Sequence, residues 1–370
     1  MKDKIVLYFP TLYPELTGGM EVFNFHLLKK IDEISDPNKL VVLTNAKEYI
    51  NYKNIFPLKN RLFFFRRFGL GALSTFIYYT FSNKLNWRDV KTIYVPYTSG
   101  FELNAIAFLL IKKIFKIEYI VHHHCGILKE WKNKRLLKSF FKNATEIVAV
   151  SHSIICEYSK RTERDLLYYP PLIPYDRCED SRENLRKKYK IEAYKKAILF
   201  VGTLKPLKAP EVLIKAFIEL GDNFIKKHEL CLLFAGDGEL REDLEKHYAQ
   251  IDYIKFLGRI PTEHVNELYK LSDIYVIPSW YEGTSMSLLE AMYNGLACVG
   301  TNVTGINDMI EDGVNGALFE KDNISQLSEI IKELINDELY CDKLKESSRK
   351  YYDANYSYNE YLQKIKKLLA

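Results

Sequence analysis

The sequence predicts an α/β protein of two doubly wound domains, each built on a parallel sheet. Two observations support this prediction: short apolar runs alternate with longer amphipathic segments, and one segment rich in proline and charge interrupts the alternation. Continuous apolar runs are typical of strands that are covered on both faces. Strands separated by helices predict parallel βαβ units, and repeated units of this kind build a doubly wound sheet.

The apolar runs predict two sets of strands. The first set is Ile5–Phe9, Leu40–Thr44, Thr92–Val95, Tyr119–His124 and Ile147–Val150. The second set is Ala197–Val201, Leu230–Ala235, Ile254–Leu257, Ile274–Ile277 and Ala297–Thr301. Amphipathic segments between them predict helices at Glu21–Ile34, Glu211–Leu220, Leu240–Gln250 and Ser325–Ile335.

The interruption divides the chain. It reads YYPPLIPYDRCEDSRENLRKKYK from Tyr168, and neither Pro170 nor Pro171 can lie inside a helix or a central strand. We therefore expect an N-terminal domain over residues 1–170, a linker region over 171–195 and a C-terminal domain over 196–352. A last helical pattern over 353–370 could pack back on the N-terminal domain.

Length and composition exclude several classes of protein. At about 100–200 residues per domain, 370 residues suit two domains that each bury a core. A hydrophobic fraction of 47% and a charged fraction of 27% exclude disordered and fibrous proteins. The formal net charge of +5 is too small to indicate a nucleic-acid partner.

The cysteines and the N-terminal residues predict a cytoplasmic protein. The six cysteines are far apart and form no C-x-x-C pair, which suits a reducing compartment. The first residues, MKDKIVLYFP, reach Pro10 too soon to hold the apolar region of a secretory signal. No stretch approaches the roughly 18 apolar residues of a spanning helix.

Ligands of doubly wound sheets bind beyond the carboxyl ends of the strands, so the loops that follow strands are the candidate site. After the first strand, Gly18 and Gly19 precede a helix, where backbone can approach a ligand and offer N–H groups to an anion. An ordinary glycine turn is the alternative. After Ala197–Val201, Lys205 and Lys208 could neutralise a diphosphate together with a helix N-terminus, or they are solvated surface lysines.

A third loop, GDGELREDLE, lacks the G-x-G-x-x-G spacing of dinucleotide-binding proteins. A turn followed by a charged helix start explains it. This loop therefore counts against a dinucleotide-dependent dehydrogenase.

The segment after the strand Ile274–Ile277 carries two acids, Glu282 in a loop and Glu290 in the early turns of a helix. Backbone N–H groups of residues 283–286 would point out of the helix start. Such a loop could hold sugar hydroxyls and phosphate together, because carboxylates accept hydrogen bonds from hydroxyls. The alternatives are a capping box formed by Ser287 and Glu290, and a solvated loop acid at Glu282.

These motifs together resemble the retaining glycosyltransferases of family 4, also called glycosyl transferases group 1. The residues from Glu282 to Glu290 resemble the family's E-(seven residues)-E signature, and TGG resembles its glycine loop. FVGTLKPLKAPEVLIKAF resembles its G-R-L-x-x-x-K-G motif and FAGDGELREDLE its G-x-G turn. The most specific block is FLGRIPTEHVNELYKLSDIYVIPSWYEGTSMSLLEAM. The resemblance implies the GT-B fold, in which two Rossmann-like domains face each other across a cleft.

The resemblance also implies a role for each matching residue. Lys208 matches the lysine on the donor diphosphate, Glu290 the acid on the ribose hydroxyls and Glu282 the acid near the transferred sugar. The remaining donor-binding positions are backbone contacts or loop residues, namely Gly18, Gly19, Gly202, Gly258, Arg259, Ile260, Gly283, Thr284, Ser285 and Met286.

One position departs from the family pattern. Thr203 stands where the family usually has an arginine, so one of two charges on the diphosphate would be lost unless Lys205 replaces it. A lysine is a point charge without the bidentate fork of arginine, so that replacement would not be equivalent.

Three successive histidines, His122 to His124, invite a metal-site hypothesis. Side chains alternate along a strand, so His122 and His124 point one way and His123 the other, and two ligands on one side are no metal site. In the family a histidine at the end of this strand faces the transferred sugar. His124 matches it best, with His123 as the alternative register. Packing against neighbouring helices is the other reading.

The resemblance implies transfer with retention, without a protein nucleophile, a cofactor or a divalent metal. Negative charge builds on the leaving diphosphate in an oxocarbenium-like transition state, and a lysine with helix N–H groups can stabilise it. The expected donor is a UDP- or GDP-linked sugar, and the expected acceptor is a glycan or lipid-linked glycan of cell-surface polysaccharide or glycolipid assembly. The alternatives are a nucleotide-sugar 2-epimerase of the same fold and a non-catalytic binding protein.

The most aromatic run, RLFFFRRFGLGALSTFIYYTF at Arg61–Phe81, fits a segment lying in an anionic membrane interface. Arg61, Arg66 and Arg67 would face the membrane, which would place the protein at the inner face of the membrane as a peripheral protein. Domain core is the alternative for these aromatics. Flotation with anionic vesicles, with and without charge reversal at Arg66 and Arg67, separates the two.

Overall fold

The computed structural model describes residues 2–9, 24, 27–28, 36, 38–44, 55–57, 85–97, 104–124, 134–171, 173, 177–356 and 358–369. The chain divides into two compact units. The first comprises Met1–Pro174 with Tyr358–Ala370, and the second comprises Tyr175–Ser357. Each unit holds a parallel sheet with helices, so the predicted α/β fold class is confirmed.

The described residues of the first unit form a seven-stranded sheet in the order β3-β2-β1-β4-β5-β6-β7. The strands are β1 (Lys4–Phe9), β2 (Leu40–Thr44), β3 (Ile55–Pro57), β4 (Val90–Tyr97), β5 (Glu118–His123), β6 (Glu146–Ala149) and β7 (Leu167–Tyr168). The helices after β4 are α1 (Asn104–Phe115), α2 (Lys134–Asn143) and α3 (His152–Thr162). Asn24, Leu27 and Leu28 are also helical.

The second unit contains a six-stranded sheet in the order β10-β9-β8-β11-β12-β13. The strands are β8 (Lys196–Val201), β9 (Leu230–Ala235), β10 (Ile254–Gly258), β11 (Ile274–Ile277), β12 (Ala297–Thr301) and β13 (Ala317–Phe319). The helices are α4 (Arg182–Lys188), α5 (Pro210–Glu219), α6 (Asp222–Lys227), α7 (Arg241–His247), α8 (Thr262–Leu271), α9 (Met286–Asn294), α10 (Ile324–Asn336) and α11 (Glu338–Asn355). A last helix, α12 (Tyr358–Leu369), belongs to the first unit.

Both faces of the sheets are covered, as the continuous apolar runs predict. In the first unit Tyr8 and Phe108 pack on one face, whereas Leu7, Phe9 and Ile365 of α12 pack on the other. The last helical pattern thus lies against the sheet of the first unit. In the second unit every residue of β9 is buried.

The segment expected to be a linker is partly helical. Its charged residues form α4, which Arg182 ties to Asp273 through an ion pair with Nη2 and Oδ2 2.7 Å apart. The Arg186 guanidinium donates to the carbonyl of Leu271 at 3.1 Å. Because α4 packs on α8, this part of the segment belongs to the second unit.

Candidate functional site

The order of the second sheet reverses between β8 and β11. β8 is the first strand of the unit, and its neighbours are β9 on one side and β11 on the other. The connections therefore leave these two strands toward opposite faces of the sheet, which opens a crevice at their carboxyl ends. The loop after β11 meets the loop after β8 there, because the backbone N–H of Trp280 donates to the carbonyl of Leu207 at 2.9 Å.

The loop after β8 presents Lys208 at this point. A short 3₁₀ turn over Pro206–Lys208 ends at Ala209, which has a left-handed φ of 46°, and Pro210 then begins α5. Proline suits the first position of a helix because its missing N–H has no intrahelical partner there. The Lys208 ammonium donates to Glu282 Oε1 in an ion pair.

Glu282 is held from three sides. The side chain is only 10% exposed, and the fully buried Ser279 donates its hydroxyl to Glu282 Oε1 at 2.7 Å. The backbone N–H of Glu282 donates to the carbonyl of Thr304 at 3.3 Å. Gly305 follows with a φ of +84°, and a Cβ on it would lie 2.3 Å from the Glu282 carbonyl oxygen. The solvated alternative for Glu282 is therefore wrong.

Ser285 caps α9 at its N-terminus. Its hydroxyl accepts a hydrogen bond from the N–H of Leu288 at 3.3 Å. The alternative capping box, from Ser287 to Glu290, is therefore wrong, because the cap lies two residues earlier. Gly283, Thr284 and Met286 are half-buried around this helix start. A helix N-terminus leaves its first N–H groups without intrahelical partners, so it favours an anion.

Glu290 is buried and hydrogen-bonded. Tyr269 on α8 donates its hydroxyl to Glu290 Oε2 at 2.8 Å, and both side chains are under 10% exposed. A buried carboxylate is stable only when it has such partners. The sequence analysis did not find Tyr269 or Ser279. An acid within an apolar helix is expected to be buried, and a buried acid needs a hydrogen-bond partner. The sequence does not indicate which residue supplies that partner.

Gly258, Arg259 and Ile260 lie along the same edge of the sheet, at the end of β10. Two strand steps separate β10 from β8, which is about 10 Å at the usual spacing. Gly258 is buried with a φ of +69°, Arg259 is exposed and Ile260 is half-buried.

The loop after β8 also contains Gly202, Thr203 and Lys205. Gly202 is half-buried, and its N–H donates to the carbonyl of Ala235 at 3.0 Å. Thr203 is exposed, and the side chain of Lys205 is half-buried. The structure thus brings together Lys208, Glu282 and the start of α9, with the β10 residues two strands away on the same edge.

The side chains of the three histidines alternate at the end of β5, as predicted. The Tyr94 hydroxyl is hydrogen-bonded to His122 Nδ1, and the rings of His122 and His124 lie 4.1 Å apart on that side. His123 points to the other side, where its ring centroid is 4.9 Å from that of Tyr97 and 3.9 Å from that of Tyr158. His123 therefore packs in the aromatic core of the first unit. The role of His124 stays a prediction.

Burial keeps these histidines neutral. Desolvation lowers the pKa of His123 and of His124 to about 3, and it lowers that of His122 well below the ordinary value. Neither ring nitrogen of His123 has a hydrogen-bond partner among the described residues. Charging this imidazole in the folded protein would leave the charge without a counterion among the residues that the structure describes.

The free energy of unfolding is expected to fall as the pH drops below about 6.5. The folded pKa of His123, about 3, lies below its ordinary value of 6.5, so between these values the unfolded chain binds a proton that the folded chain does not. Each such histidine contributes a slope of about 1.4 kcal/mol per pH unit. Urea unfolding of the protein and of His123→Phe from pH 7.5 to 5.5 measures it. An identical slope for the variant would contradict the prediction.

Gly18, Gly19, Arg61, Arg66 and Arg67 lie outside the described residues, as does the rest of the aromatic run from Arg61 to Phe81. Within the described ranges, no group of three or more His, Cys, Asp and Glu side chains could hold a metal ion. No helix in the same ranges has both the length and the apolar character needed to cross a membrane.

Comparison with known proteins gives this site a context. Residues 181–351 match the family model of glycosyl transferases group 1. The match spans the ion pair of Lys208 and Glu282, the start of α9 and the end of β10. The family's sequence pattern and the site therefore lie in the same unit.

Relatives and solved structures extend the likeness to the whole chain. An uncharacterized glycosyltransferase of Methanocaldococcus jannaschii is 25% identical over 99% of this chain and 98% of its own length. A Campylobacter jejuni enzyme, a GalNAc-α-(1→4)-GalNAc-α-(1→3)-diNAcBac-PP-undecaprenol α-1,4-N-acetyl-D-galactosaminyltransferase, is 25% identical over 67% of each chain. Anabaena HepE, solved in complex with UDP-glucose, superposes with a TM-score of 0.77 at 16% identity and 99% coverage of both chains.

These likenesses confirm the GT-B fold and support a glycosyltransferase. The likeness to the HepE structure, at 16% identity, is evidence for the fold alone. The retaining mechanism, the donor and the acceptor stay predictions.

Proposed function

We propose that the protein is a retaining hexosyltransferase that moves a sugar from a UDP- or GDP-linked donor to a glycan or lipid-linked acceptor. The observation that carries this proposal is the meeting of Lys208 and Glu282 at the strand-order reversal, beside the N-terminus of α9. The cation and the helix N-terminus match the diphosphate charge of a nucleotide sugar, and the carboxylate matches the hydroxyls of its sugar.

For a donor to bind, the diphosphate has to replace Glu282 as the partner of the Lys208 ammonium. The Lys208 ammonium is neutralised by Glu282 in an ion pair. A diphosphate at the start of α9 would take over the ammonium, and Glu282 would then accept hydrogen bonds from hydroxyls of the transferred sugar. Lys208 and the helix N–H groups would stabilise the charge that develops on the departing diphosphate.

In the proposed reaction the bond between the sugar and the diphosphate breaks as the acceptor oxygen bonds to the same face of the sugar. The leaving phosphate takes the proton of the acceptor hydroxyl, so no protein nucleophile, cofactor or divalent metal is required. Activity is therefore expected to persist in EDTA. An absolute requirement for added Mg²⁺ or Mn²⁺ would contradict this part of the proposal.

The relatives suggest which substrates to test first. HepE was solved with UDP-glucose, and the Campylobacter enzyme is named for an acceptor linked to undecaprenol diphosphate. UDP-sugars and polyprenyl-linked glycans are thus the leading candidates, and they favour a cytoplasmic protein at an anionic membrane surface, engaged in polysaccharide assembly.

A panel of radiolabelled UDP- and GDP-sugars, incubated with the protein and a membrane extract, tests the proposal. Transfer of label to the extract is the expected result. Isomerisation of a donor without any acceptor would indicate the 2-epimerase, and no turnover of any donor would favour a non-catalytic protein.

Tyr269→Phe is expected to weaken UDP binding about tenfold, because the hydroxyl that fixes the carboxylate of Glu290 is lost. Calorimetric titration with UDP measures the effect. The matched control is Tyr189→Phe, which removes a similar bond of 2.7 Å from a tyrosine to Glu267. Equal UDP affinity for both variants would contradict the proposed contact between Glu290 and the ribose.

A further inference from the structure

Ser279 is a polar side chain to which the reaction described above gives no role. It lies two residues after the end of β11 and is fully buried, with an exposed fraction of 0%. A buried hydroxyl needs a hydrogen-bond partner, and the Ser279 hydroxyl donates to Glu282 Oε1 at 2.7 Å. Ser279 therefore acts on the carboxylate that forms the ion pair with Lys208.

The two oxygens of the Glu282 carboxylate are used unequally. Oε1 accepts hydrogen bonds from both the Lys208 ammonium and the Ser279 hydroxyl. No side chain among the described residues donates to Oε2. A carboxylate has about four lone-pair sites, two on each oxygen. The protein thus fills Oε1, and Oε2 is the oxygen that can accept from a hydroxyl of a ligand.

Donor binding removes one of the two donors to Oε1. In the proposed reaction the Lys208 ammonium moves from Glu282 to a diphosphate at the start of α9. The Glu282 side chain is only 10% exposed, and an acceptor that loses its donor in such a place costs free energy, more so when it is charged. Because Ser279 donates to the same oxygen, Oε1 keeps a partner when Lys208 turns to the diphosphate.

A hydroxyl suits this task better than a second cation. It donates a hydrogen bond without neutralising the carboxylate, so the negative charge of Glu282 stays available for hydroxyls of the transferred sugar. A second cation at Oε1 would neutralise that charge and weaken those hydrogen bonds. Ser279 is thus the type of side chain that holds Glu282 and leaves it a strong acceptor.

The path of the loop is fixed by contacts other than that of Ser279. The backbone N–H of Trp280 donates to the carbonyl of Leu207 at 2.9 Å. The backbone N–H of Glu282 donates to the carbonyl of Thr304 at 3.3 Å. The serine hydroxyl is an addition to these two backbone contacts, and its bond is made to the carboxylate and not to the main chain.

We propose that Ser279 is a positioning residue that makes the ion pair exchangeable: it holds Glu282 in place while Lys208 passes from this carboxylate to the diphosphate of the donor. This inference rests on the proposed function, because it needs a diphosphate that competes for Lys208. It gives the two oxygens of Glu282 different tasks. Oε1 is held by Ser279, and Oε2 accepts from the transferred sugar.

Ser279→Ala tests the exchange. Lys208 is then the one donor to Oε1 among the described side chains, so the ammonium should stay on Glu282. We expect UDP to bind about tenfold more weakly, because its diphosphate has to leave a buried carboxylate oxygen without a partner. Calorimetric titration with UDP measures the change, and GDP replaces UDP if the unchanged protein binds only GDP.

The background Lys208→Ala separates the exchange from a purely structural role. With the ammonium removed there is no partner to exchange, so Ser279→Ala in this background should change UDP affinity by less than about twofold. A residue that only shaped the loop would weaken UDP binding by the same factor in both backgrounds. A tenfold difference between the backgrounds corresponds to a coupling of about 1.4 kcal/mol between the two side chains.

The matched control is Ser272→Ala. Ser272 is also buried, and its hydroxyl donates to the carbonyl of Leu268 at 2.7 Å, but it lies just before β11 instead of after it. Both serine variants lose one buried hydrogen bond, so both should have a lower melting temperature. Only Ser279→Ala should have a lower affinity for UDP.

The proposal is overturned if Ser279→Ala binds UDP as tightly as the unchanged protein, or if its loss of affinity is as large in the Lys208→Ala background. If Ser279→Ala does not fold, Ser279→Cys replaces it in both backgrounds, because a thiol keeps the volume and is a weaker donor. Its UDP affinity should also fall, and an unchanged affinity overturns the proposal. Failure of the unchanged protein to bind any nucleoside diphosphate or nucleotide sugar would instead contradict the proposed function.

Discussion

Lys208→Ala is expected to lower kcat for sugar transfer by about 10²–10³-fold, the usual effect of removing one group that stabilises developing charge in a transition state. The ammonium of Lys208 is the side-chain cation that the structure places beside Glu282 at the strand-order reversal. Its loss removes this charge from the leaving diphosphate and leaves the helix N-terminus of α9 in place. Initial rates at saturating donor measure the change.

The same substitution should leave the fold intact. Glu282 loses its counterion, but Ser279 still donates to the same carboxylate oxygen. We expect a loss of about 1–2 kcal/mol in the free energy of unfolding, between the values for exposed and buried ion pairs. Urea denaturation checks that the loss of activity is not a loss of folded protein.

Two lysine variants serve as controls. Lys215→Ala removes a lysine of α5 that is 51% exposed and paired with Glu211, and it should keep full activity. Lys205→Ala tests whether this lysine replaces the arginine that Thr203 displaces. An intermediate loss for Lys205→Ala would show that it does. Near-full activity of Lys208→Ala would contradict the site assignment itself.

Periodicity predicted the strands at the centre of the sheets well, because a central strand in a parallel sheet is apolar on both faces. Leu230–Ala235 and Ile274–Ile277 match β9 and β11 at both ends. The peripheral strands β3, β7 and β13 have only two or three residues, and the sequence analysis did not find them. A run of two or three residues is too short to show the hydrophobic pattern by which a strand is recognised.

The charged segment expected to be a linker shows where composition misleads. Charge and proline suggested an interdomain linker, but Arg182 and Arg186 use their charges to fasten α4 to Asp273 and to the carbonyl of Leu271. These partners lie more than 80 residues away in the sequence. The pattern of one segment cannot reveal partners that only the tertiary fold brings near.

In the site, too, the sequence reveals features within one segment but not the contacts between distant segments. Glu282 and Glu290 stand out in the sequence because they have a fixed spacing within one segment. Lys208 and Glu282 are 74 positions apart, and Tyr269 and Glu290 are 21 apart, so their contacts follow only from the packing of elements. The cap at Ser285 instead of Ser287 depends on where the loop ends, which local spacing does not determine.

Gly305→Ala is expected to lower the free energy of unfolding by about 2–4 kcal/mol and to lower transfer activity more than stability alone explains. A Cβ at Gly305 would lie 2.3 Å from the carbonyl oxygen of Glu282 and 2.9 Å from that of Gly283. Both contacts are with backbone, so no side-chain rotation relieves them. The loop that carries Glu282 has to move, and the ion pair with Lys208 moves with it.

Gly221→Ala is the matched control for this prediction. Gly221 has the same φ of +84°, and no atom of the described residues lies within 4 Å of a Cβ built on it. Gly221→Ala should therefore lower the free energy of unfolding by about 1 kcal/mol, the cost of an alanine in the left-handed conformation, and should leave activity unchanged. Urea unfolding and initial rates of both variants separate the two effects, because the difference between them is the contact with the Glu282 loop. Equal losses of stability and activity in the two variants would show that Gly305 does not hold this loop in place.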